Sequence, residues 1–242
     1  MVSMIQSEEL RNIMMKANRI VAVSPHPDDT ELIAGGYLSL MAQRGADILL
    51  IVATDGSKGT RTEGLDMTET RKKEQMNAAA ILGIKKVVFL GFKDTESPDP
   101  RVLRESLLPA MREFIPDIVI TVDPFLEYEV HPDHVNVGLA TLQSVLFYPL
   151  PNIGGGKAGN NEIYAAVSPT NRFNVIVDIE TSFEKKIDAL KAHASQSLDL
   201  EEIRRISSLV GSINGYRFGE AFRVLRRTDL HIHLSEEYFK MV

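Results

Sequence analysis

Cysteine is absent from this 242-residue sequence. Its absence excludes disulfide bonds, thiolate nucleophiles and zinc sites ligated by cysteine. Any metal ion that the chain binds must therefore be held by histidine or by carboxylates, and the sequence contains six histidines.

Long apolar runs and an excess of positive charge are missing as well. No run approaches the roughly 18 to 20 apolar residues that a membrane span needs. Glu8, Glu9 and Arg11 interrupt the apolar pattern of the N-terminal segment, which lacks the core of a signal peptide. The formal net charge of −6 disfavours a nucleic-acid surface, since only residues 223–227 are locally basic. We therefore expect a cytoplasmic protein with neither a membrane nor a nucleic-acid partner.

The rest of the composition is that of an ordinary globular domain. Hydrophobic residues make up 44% of the chain and charged residues 25%, and no linker, internal repeat or low-complexity tract divides it. We predict that residues 1–242 form a single domain.

Short apolar or β-branched runs alternate with longer stretches of helical periodicity, which is the pattern of βαβ units. The predicted fold class is α/β, a Rossmann-like, mostly parallel sheet with helices on both faces. Strands are predicted at residues 20–24, 48–53, 87–90, 118–122, 163–167 and 175–179, with terminal strands at 221–225 and 230–234. Helices are predicted at 31–44, 68–82, 101–114, 135–147, 181–194 and 200–210, after an N-terminal helix that opens at Ser7.

In an open α/β sheet, ligands bind just beyond the carboxyl ends of the strands. Polar residues follow the first predicted strand at positions 25–31, the second at 54–56 and the fourth at 123–134. Two Gly-rich loops, 54–66 and 149–161, are longer than ordinary connections, so both are candidates to cover a site.

Two of these segments carry a pair of potential metal ligands. His26 and Asp29 are three residues apart on a turn that enters a helix, and His131 and His134 repeat that spacing. A catalytic zinc takes three histidine or carboxylate ligands and keeps one position open, so the two turns offer enough ligands and leave carboxylates over for a base. One such turn alone would more often be structural. Two of them at predicted strand ends favour a zinc site.

The turn after the first strand lacks the features of a dinucleotide site. Gly-x-Gly-x-x-Gly is missing there, and Asp28 and Asp29 would repel a pyrophosphate. Residues 56–60 do not have the spacing of a phosphate loop either. The sequence therefore disfavours a nucleotide-binding function.

The two turns resemble the signatures of the LmbE-like, or PIG-L, deacetylases, which are zinc enzymes that hydrolyse the N-acetyl group of glucosamine-containing substrates. The specific matches are Pro25-His26-Pro27-Asp28-Asp29-Thr30-Glu31, followed by Gly35-Gly36, and His131-Pro132-Asp133-His134. Weaker matches are Thr54-Asp55-Gly56, Arg71 with Glu74, the segment from Lys186 through His193-Ala194-Ser195-Gln196, and Glu220-Ala221-Phe222. The resemblance covers nearly the whole chain.

The resemblance implies a metal set and a base. His26, Asp29 and His134 would ligate one zinc ion per chain. Asp28 would be the general base. The spacing alone does not separate Asp28 from Asp29, so this division of labour rests on the resemblance.

The resemblance also assigns the other two residues of the second turn. His131 would stabilise the oxyanion or protonate the leaving amine. Asp133 would orient His131 and stabilise its charge, and a plain helix N-cap explains Asp133 equally well. The implied reaction removes the N-acetyl group from an amino sugar or glucosaminyl conjugate, for example an N-acetylglucosamine-containing disaccharide.

Three further residues are candidate substrate contacts. Arg71 matches a family position that binds substrate hydroxyls, but a surface ion pair with Glu74 would have the same spacing. Asp55 follows a strand and also suits a simple turn. Tyr128 precedes the second metal turn, where an aromatic ring either stacks on a sugar or packs.

Three histidines lie outside the two turns. His193 ends a predicted helix, where a contact with the helix dipole explains it equally well. His231 and His233 alternate on a predicted strand and would face the same way. An exposed edge or a subunit contact is favoured there over a second metal site.

Two other functions stay open. A carboxylate-rich site could hold two ions and hydrolyse phosphate esters, or the fold could carry a non-catalytic carbohydrate-binding protein. Asp28, which is surplus to metal ligation, argues against the second. The expected partner is a small N-acetylated sugar, and the resemblance is compatible with a homo-oligomer.

Overall fold

The computed structural model describes residues 7–231, which form one seven-stranded sheet flanked by helices. The strands are Arg19–Ser24 (β1), Asp47–Thr54 (β2), Lys86–Phe92 (β3), Ile118–Thr121 (β4), Tyr164–Val167 (β5), Val175–Asp178 (β6) and Gly219–Arg226 (β7). The helices are Glu8–Lys16 (α1), Asp29–Gln43 (α2), Thr68–Leu82 (α3), Pro100–Phe114 (α4), Pro132–Phe147 (α5), Phe183–Ala192 (α6) and Leu200–Ser212 (α7). A short 3-10 helix, Arg227–Leu230, follows β7.

The strand order is β3-β2-β1-β4-β5-β7-β6. Neighbours from β3 to β5 are parallel, and β7 is antiparallel to both β5 and β6. The prediction of a mostly parallel α/β sheet is confirmed. Because β2 and β4 lie on opposite sides of β1, their connections diverge and open a crevice at the carboxyl ends of β1 and β4.

Alternation along the strands explains the helices on both faces. Ile20 and Ala22 of β1 pack in one apolar core with α1, α2, α3 and α6, whereas Val21 and Val23 pack in a second core with α4 and α5. Successive side chains of a strand point to opposite faces, so a central strand that is apolar from Ile20 to Val23 needs cover on both sides. None of the helices in the described part of the chain has both the length and the apolarity that a bilayer crossing requires.

A buried ion pair fixes α2 against α6 and β7. Lys186 Nζ lies 2.7 Å from Glu220 Oε1, and the two oxygens of Glu220 accept hydrogen bonds from Gly36 N at 2.9 Å and Tyr37 N at 2.8 Å. Removing one partner would leave a buried charge unpaired, at a cost of about 3–5 kcal/mol. The weaker sequence matches at Lys186 and Glu220 thus meet Gly36 of the first signature in one structural cluster.

The strand predicted at residues 230–234 is wrong at Leu230, which ends the 3-10 helix, and positions 232–234 lie outside the described residues. The other predicted strands are present, with ends that differ by at most two residues. The helices are present too, and the largest shift is in α5, which begins at Pro132 because proline is favoured in the first turn of a helix.

Candidate metal centre

The turns that follow β1 and β4 meet at the crevice between those strands. They bring together His26 and Asp29 from the first turn and His134 from the second. Asp29 Oδ2 lies 3.1 Å from His26 Nδ1 and 3.4 Å from His134 Nε2. One carboxylate oxygen therefore lies beside a ring nitrogen of each histidine.

The spacing of these three atoms suits a zinc ion. Bonds of about 2.0–2.1 Å at tetrahedral angles place neighbouring zinc ligands about 3.3 Å apart. The two distances to Asp29 Oδ2 are close to that value. Imidazole nitrogen and carboxylate oxygen are also donors that zinc accepts when thiolates are absent. The residues therefore fit the metal that the family resemblance implies.

The charges of this group bear on how a cation would bind. Burial raises the pKa of Asp29, but hydrogen bonds from His134 and His26 outweigh burial and hold that pKa well below its ordinary value. Burial lowers the pKa of His26, whereas its hydrogen bonds to three carboxylates, the first of them Asp133, raise it to about 11. A cation bound at His26 must displace a proton, so metal affinity depends on pH.

The carboxylate of Asp133 is hydrogen-bonded to His26, and the orienting role predicted for Asp133 at His131 stays a prediction. Asp133 is 0% exposed. Its Oδ2 lies 3.0 Å from His26 Nε2 and accepts a hydrogen bond from Thr95 N at 2.7 Å, and its Oδ1 accepts one from Ser97 N at 3.1 Å. Asp133 thus keeps a proton on His26 Nε2 and leaves Nδ1 for a metal.

Asp94 is a buried site residue that the sequence analysis missed. Its Oδ1 lies 3.3 Å from His26 Nε2, and its Oδ2 accepts a hydrogen bond from Lys58 N at 3.0 Å. Asp94 comes two residues after β3. A search of the carboxyl end of the third strand, like the search of the other three, would have found it.

Glu129 was missed too, and it does for His134 what Asp133 does for His26. Glu129 Oε2 lies 3.0 Å from His134 Nδ1, and Glu129 Oε1 accepts a hydrogen bond from His131 N at 2.9 Å. The contact leaves His134 Nε2 facing Asp29. The available sequence signal was a carboxylate two residues before a metal turn, which is weak because acidic residues are common in loops.

Asp28 lies between β1 and α2 in a left-handed conformation with a φ of 101°. Its side chain lines the pocket, and its Oδ1 accepts a hydrogen bond from Arg71 Nη2 at 3.0 Å. Burial and the charge of Asp29 raise the pKa of Asp28 to about 7, against the opposing charge of Arg71. A carboxylate with that pKa can both accept and donate a proton near neutral pH.

Arg71 reaches Asp28 from α3. It is 4% exposed, and besides Asp28 it donates to Pro27 O and, over 3.3 Å, to Gly56 O. A Cβ at Gly56 would lie 2.7 Å from Arg71 Nη1. Glycine at this position, which also has a φ of 62°, therefore leaves room for the guanidinium beneath the loop.

The alternative of a surface ion pair between Arg71 and Glu74 is wrong. Both residues are buried, and Glu74 accepts hydrogen bonds from Ser195 N at 2.8 Å and Ser195 Oγ at 2.7 Å. Gln196 donates to Gly59 O at 3.1 Å. The segment after α6 is thereby tied to α3 and to the loop that follows β2.

His131 caps α5 and lines the pocket. Its Nδ1 accepts a hydrogen bond from Asp133 N at 3.3 Å. A backbone amide can only donate, so the proton of the neutral ring lies on Nε2. Burial and the neighbouring His26 and His134 lower the pKa of His131. His131 is therefore a neutral hydrogen-bond donor through Nε2.

The pocket over the two turns has a volume of about 220 Å³. The loop at 54–66 contributes Lys58 and Gly59 to its lining, in agreement with its predicted position. The loop at 149–161 lies elsewhere, because α5 carries the chain back to the amino ends of the strands. There Arg112 donates to carbonyls of this loop, including Leu150 O and Ile153 O, each at 2.8 Å. This loop does not cover the site.

Two predicted substrate contacts do not line the pocket. Asp55 accepts hydrogen bonds from Ser57 N at 3.0 Å and Asp94 N at 3.1 Å, and it pairs with Lys93 Nζ at 2.9 Å. Asp55 therefore joins the loops after β2 and β3. These contacts favour the structural role in a turn that the sequence analysis gave as the alternative to a substrate contact. Tyr128 is 87% exposed, so its ring does not pack in the core.

Of the histidines outside the turns, His193 has the predicted position and an additional buried neighbour. His193 ends α6 as predicted, but it is buried, and its Nε2 lies 3.7 Å from Glu31 Oε2. The surroundings of His193 therefore include the buried Glu31 in addition to the dipole of α6. His231 follows the 3-10 helix, and His233 lies outside the described residues.

A family model matches just over half of the chain. The model described as PIG-L, GlcNAc-PI de-N-acetylase, matches residues 21–145. That range contains both metal turns together with Asp94 and Glu129.

Individual deacetylases are also similar to this chain in sequence and structure. The chain is 33% identical over 233 residues to the diacetylchitobiose deacetylase of Thermococcus kodakarensis, with 88% of this chain and 85% of that protein covered. It is 32% identical over 193 residues to the probable N-acetyl-alpha-D-glucosaminyl L-malate deacetylase 2 of Bacillus cereus, covering 74% of this chain and 83% of that protein. The solved N,N'-diacetylchitobiose deacetylase from Pyrococcus horikoshii, complexed with its inhibitor MPG, superposes with a TM-score of 0.87 at 34% identity and covers 92% of this chain and 89% of that one.

Proposed function

Because the chain belongs to the PIG-L family of de-N-acetylases, we propose that it is a zinc-dependent N-deacetylase of an N-acetylated amino sugar or glucosaminyl conjugate. The relatives are named as deacetylases of diacetylchitobiose and of N-acetyl-alpha-D-glucosaminyl L-malate. Both names describe an N-acetylated glucosamine unit with different groups attached. The substrate class we propose is therefore that shared unit.

The observation that carries the proposal is a carboxylate that serves no metal. His26, Asp29 and His134 form a group of three potential ligands. Asp28 lines the same pocket and is absent from both groups of potential ligands within residues 7–231. Hydrolysis needs a base beside the metal, whereas simple metal or sugar binding does not.

The first step is proton removal from water. Bound at His26, Asp29 and His134, a zinc ion would act as a Lewis acid towards the acetyl carbonyl and would make water more acidic. Asp28 accepts the proton while the water oxygen bonds to the acetyl carbon. Arg71 keeps the Asp28 carboxylate oriented through the hydrogen bond at 3.0 Å.

The second step breaks the C–N bond of the tetrahedral intermediate that water addition forms. The neutral His131 ring donates through Nε2 to the carbonyl oxygen, which becomes negative as water adds and loses that charge as the C–N bond breaks, as an oxyanion-hole group does. Its Nδ1 faces a backbone amide, so a doubly protonated ring would place two donors against each other. We therefore assign oxyanion stabilisation to His131 and the return of the proton to the amine nitrogen to Asp28. The products are acetate and a free amine.

The same geometry weighs against the two rivals. A second group of potential ligands contains His26, Asp94, His131 and Asp133, but the oxygens of Asp133 already accept from His26 and two backbone amides. That arrangement does not favour a second ion and the phosphoesterase chemistry it would support. A purely sugar-binding protein would have no use for a base with the position of Asp28.

Amine release tests the proposal. Zinc-loaded protein is incubated with N,N'-diacetylchitobiose and N-acetylglucosaminyl malate, the substrates that the names of the relatives suggest. We expect acetate and free amine in equal amounts from at least one, loss of activity with a chelator, and recovery with zinc at about one ion per chain. Two tightly held ions with phosphate release from an ester would instead support the phosphoesterase. Saturable sugar binding without acetate release would support the binding protein.

Some sequence-based expectations stay predictions. These are contact between Arg71 and substrate hydroxyls, the cytoplasmic location, and assembly as a homo-oligomer. The first can be measured, because Arg71→Ala should reduce turnover of a sugar substrate more than turnover of a small acyl amide.

A further inference from the structure

The conformation of Asp28 needs support from its surroundings. Its φ of 101° lies in a region that side chains with a Cβ rarely adopt. The Asp28 side chain accepts no capping hydrogen bond from α2. A residue other than glycine stays in this region only where neighbouring groups hold it there.

Gln75 supplies such support from α3. Asp28 N donates to Gln75 Oε1 at 3.1 Å, and Gln75 Nε2 donates to Glu31 Oε1 at 2.7 Å. Gln75 and Glu31 are each 0% exposed. The orientation of the amide is fixed, because a backbone N–H can only donate and a carboxylate oxygen is the acceptor on the other side. Gln75 therefore holds the backbone of Asp28, while Arg71 holds its side chain.

The far side of this contact is buried as well. Glu31 belongs to α2, and its other oxygen lies 3.7 Å from Nε2 of the buried His193 at the end of α6, a separation longer than a hydrogen bond. Gln75 thus connects α3 to α2 in the interior of the protein. A shift of Gln75 would therefore move against buried, close-packed neighbours.

We propose that Gln75 is a positioning residue of the reaction, which holds Asp28 in its left-handed conformation and so places the base beside the pocket. The inference rests on the proposed function, because the base matters only if the protein is a hydrolase. In the described part of the chain, Gln75 does not line the pocket, and its hydrogen bonds reach Asp28 N and Glu31 rather than a potential metal ligand side chain. Its effect must pass through Asp28.

The test compares two glutamine variants. Gln75→Met keeps the volume of the side chain and removes both hydrogen bonds. Gln143→Met is the matched control, since it makes the same substitution on α5, where Gln143 accepts a hydrogen bond from Arg104 at 3.2 Å. We expect Gln75→Met to lower kcat by about 10- to 100-fold, as small misplacements of a catalytic group do, with KM and zinc content unchanged. Gln143→Met should match the wild type. Gln75→Asn, which is too short to reach both partners, serves the same purpose if Gln75→Met does not fold.

A double-mutant cycle separates positioning from general destabilisation. If Gln75 acts through Asp28, then Gln75→Met should cost almost nothing further in an Asp28→Asn background. Equal losses in the two backgrounds would overturn the inference. So would loss of zinc from Gln75→Met.

Hydrogen exchange tests the contact between Gln75 and Asp28 without a measurement of catalysis, so this test does not depend on the proposed function. Hydrogen exchange at the Asp28 amide, measured at single-residue resolution, should be slow in wild-type protein and in Gln143→Met and fast in Gln75→Met. Unchanged exchange in Gln75→Met would show that Gln75 does not hold Asp28. If wild-type protein releases no amine from any substrate, the proposed function has failed, and Gln75 is not a positioning residue of the reaction even where it holds Asp28.

Discussion

Two turns of this molecule have nearly the same sequence and different geometry. His26-Pro27-Asp28-Asp29 follows β1, and His131-Pro132-Asp133-His134 follows β4. The first three positions are His, Pro and Asp in both turns. The aspartates at the third position nevertheless have opposite surroundings, because Asp28 lines the pocket while Asp133 is fully buried beneath it.

The start of the following helix explains the difference. Helix α2 begins at Asp29, so Asp28 stays outside it with a positive φ. Helix α5 begins at Pro132, so Asp133 already has helical geometry. One turn therefore presents its third residue to a substrate, and the other directs its third residue against His26. The comparison shows that a short motif does not fix the chemical role of each of its positions.

The fourth positions converge where the third positions diverge. Asp29 and His134 approach each other from the two turns, with Asp29 Oδ2 3.4 Å from His134 Nε2. Mutations at the third and fourth positions should therefore fail in different ways, and Asp47→Asn provides a control for the aspartates. Asp47 forms an exposed ion pair with Lys86 at the amino end of β2.

The largest effect is expected from a fourth position. Asp29→Ala removes the oxygen that lies beside both His26 and His134, so zinc content should fall far below one per chain and activity should fall with it. Elemental analysis beside the deacetylation rate measures both. Normal zinc content and a normal rate in Asp29→Ala would exclude Asp29 as a ligand.

A substitution at the third position of the first turn, Asp28, should lower the reaction rate and leave the zinc content unchanged. In Asp28→Asn the amide preserves the shape but cannot accept a proton, so kcat should fall by about 10²- to 10⁴-fold, the range for a lost general base. Zinc content should equal that of wild type and of Asp47→Asn. A metal-free Asp28→Asn protein would move Asp28 into the ligand set.

The third position of the second turn should show the reverse pattern. Asp133→Asn weakens the hydrogen bond that orients His26, so zinc affinity should fall by about 10- to 100-fold, as for other residues that orient a metal ligand. The rate at saturating zinc should fall far less than in Asp28→Asn. A competition titration with a chelator measures the affinity. An unchanged affinity with a large loss of kcat would instead support the sequence-based role of Asp133 at His131.

The smallest effect is a displacement of the pH profile. Asp28 must be ionised to act as a base, so kcat/KM should fall as pH decreases through the pKa of Asp28. Burial raises that pKa to about 7, and a bound cation lowers it, so the acid limb should lie between the ordinary aspartate value and about 7. Arg71 also lowers this pKa, and Arg71→Met should therefore move the limb to higher pH. Arg104→Met, which is remote from the pocket, should leave the acid limb of the kcat/KM profile unchanged. If Arg71→Met also leaves the acid limb unchanged, the limb does not report the ionisation of Asp28.

The pKa of Asp28 also has a consequence for stability. A folded-state pKa above the unfolded value means that folding favours the protonated carboxyl. The contribution of Asp28 to the free energy of unfolding is therefore fully present below about pH 4 and is lost as pH rises through about 7. The free energy of unfolding of wild-type protein, measured relative to that of Asp28→Asn, should therefore decrease as pH rises from about 4 to about 7.

The sequence predicted the fold well where local patterns determine it. The strand positions, the helices on both faces and the mostly parallel order follow from periodicities that every element carries in itself. The strand predicted at 230–234 is wrong at Leu230, where a capping contact between Arg226 and Asp229 starts a 3-10 turn instead. Short alternating segments such as this one do not distinguish the two structures.

The candidate site was predictable to a smaller extent. Residues that share one turn, such as His26 with Asp29, are close because the backbone between them is short. Glu129 gave little signal, because its importance depends on which ring it reaches, whereas Asp94 has the detectable position of a carboxylate after a strand. Asp55 was selected because it follows a strand, and Tyr128 because it is an aromatic residue before the second turn; the structure places neither in the pocket lining.

The sequence by itself determined which residues stand after which strand, and therefore that two histidine turns would meet at one edge of the sheet. The tertiary structure decided which carboxylate touches which ring. Asp133 and His26 are 107 residues apart, and they meet because β1 and β4 are neighbours and α5 begins one residue before Asp133. Contacts of that kind depend on the relative position of two backbones within about an ångström, since hydrogen bonds weaken steeply beyond their preferred geometry, and no local pattern specifies that position.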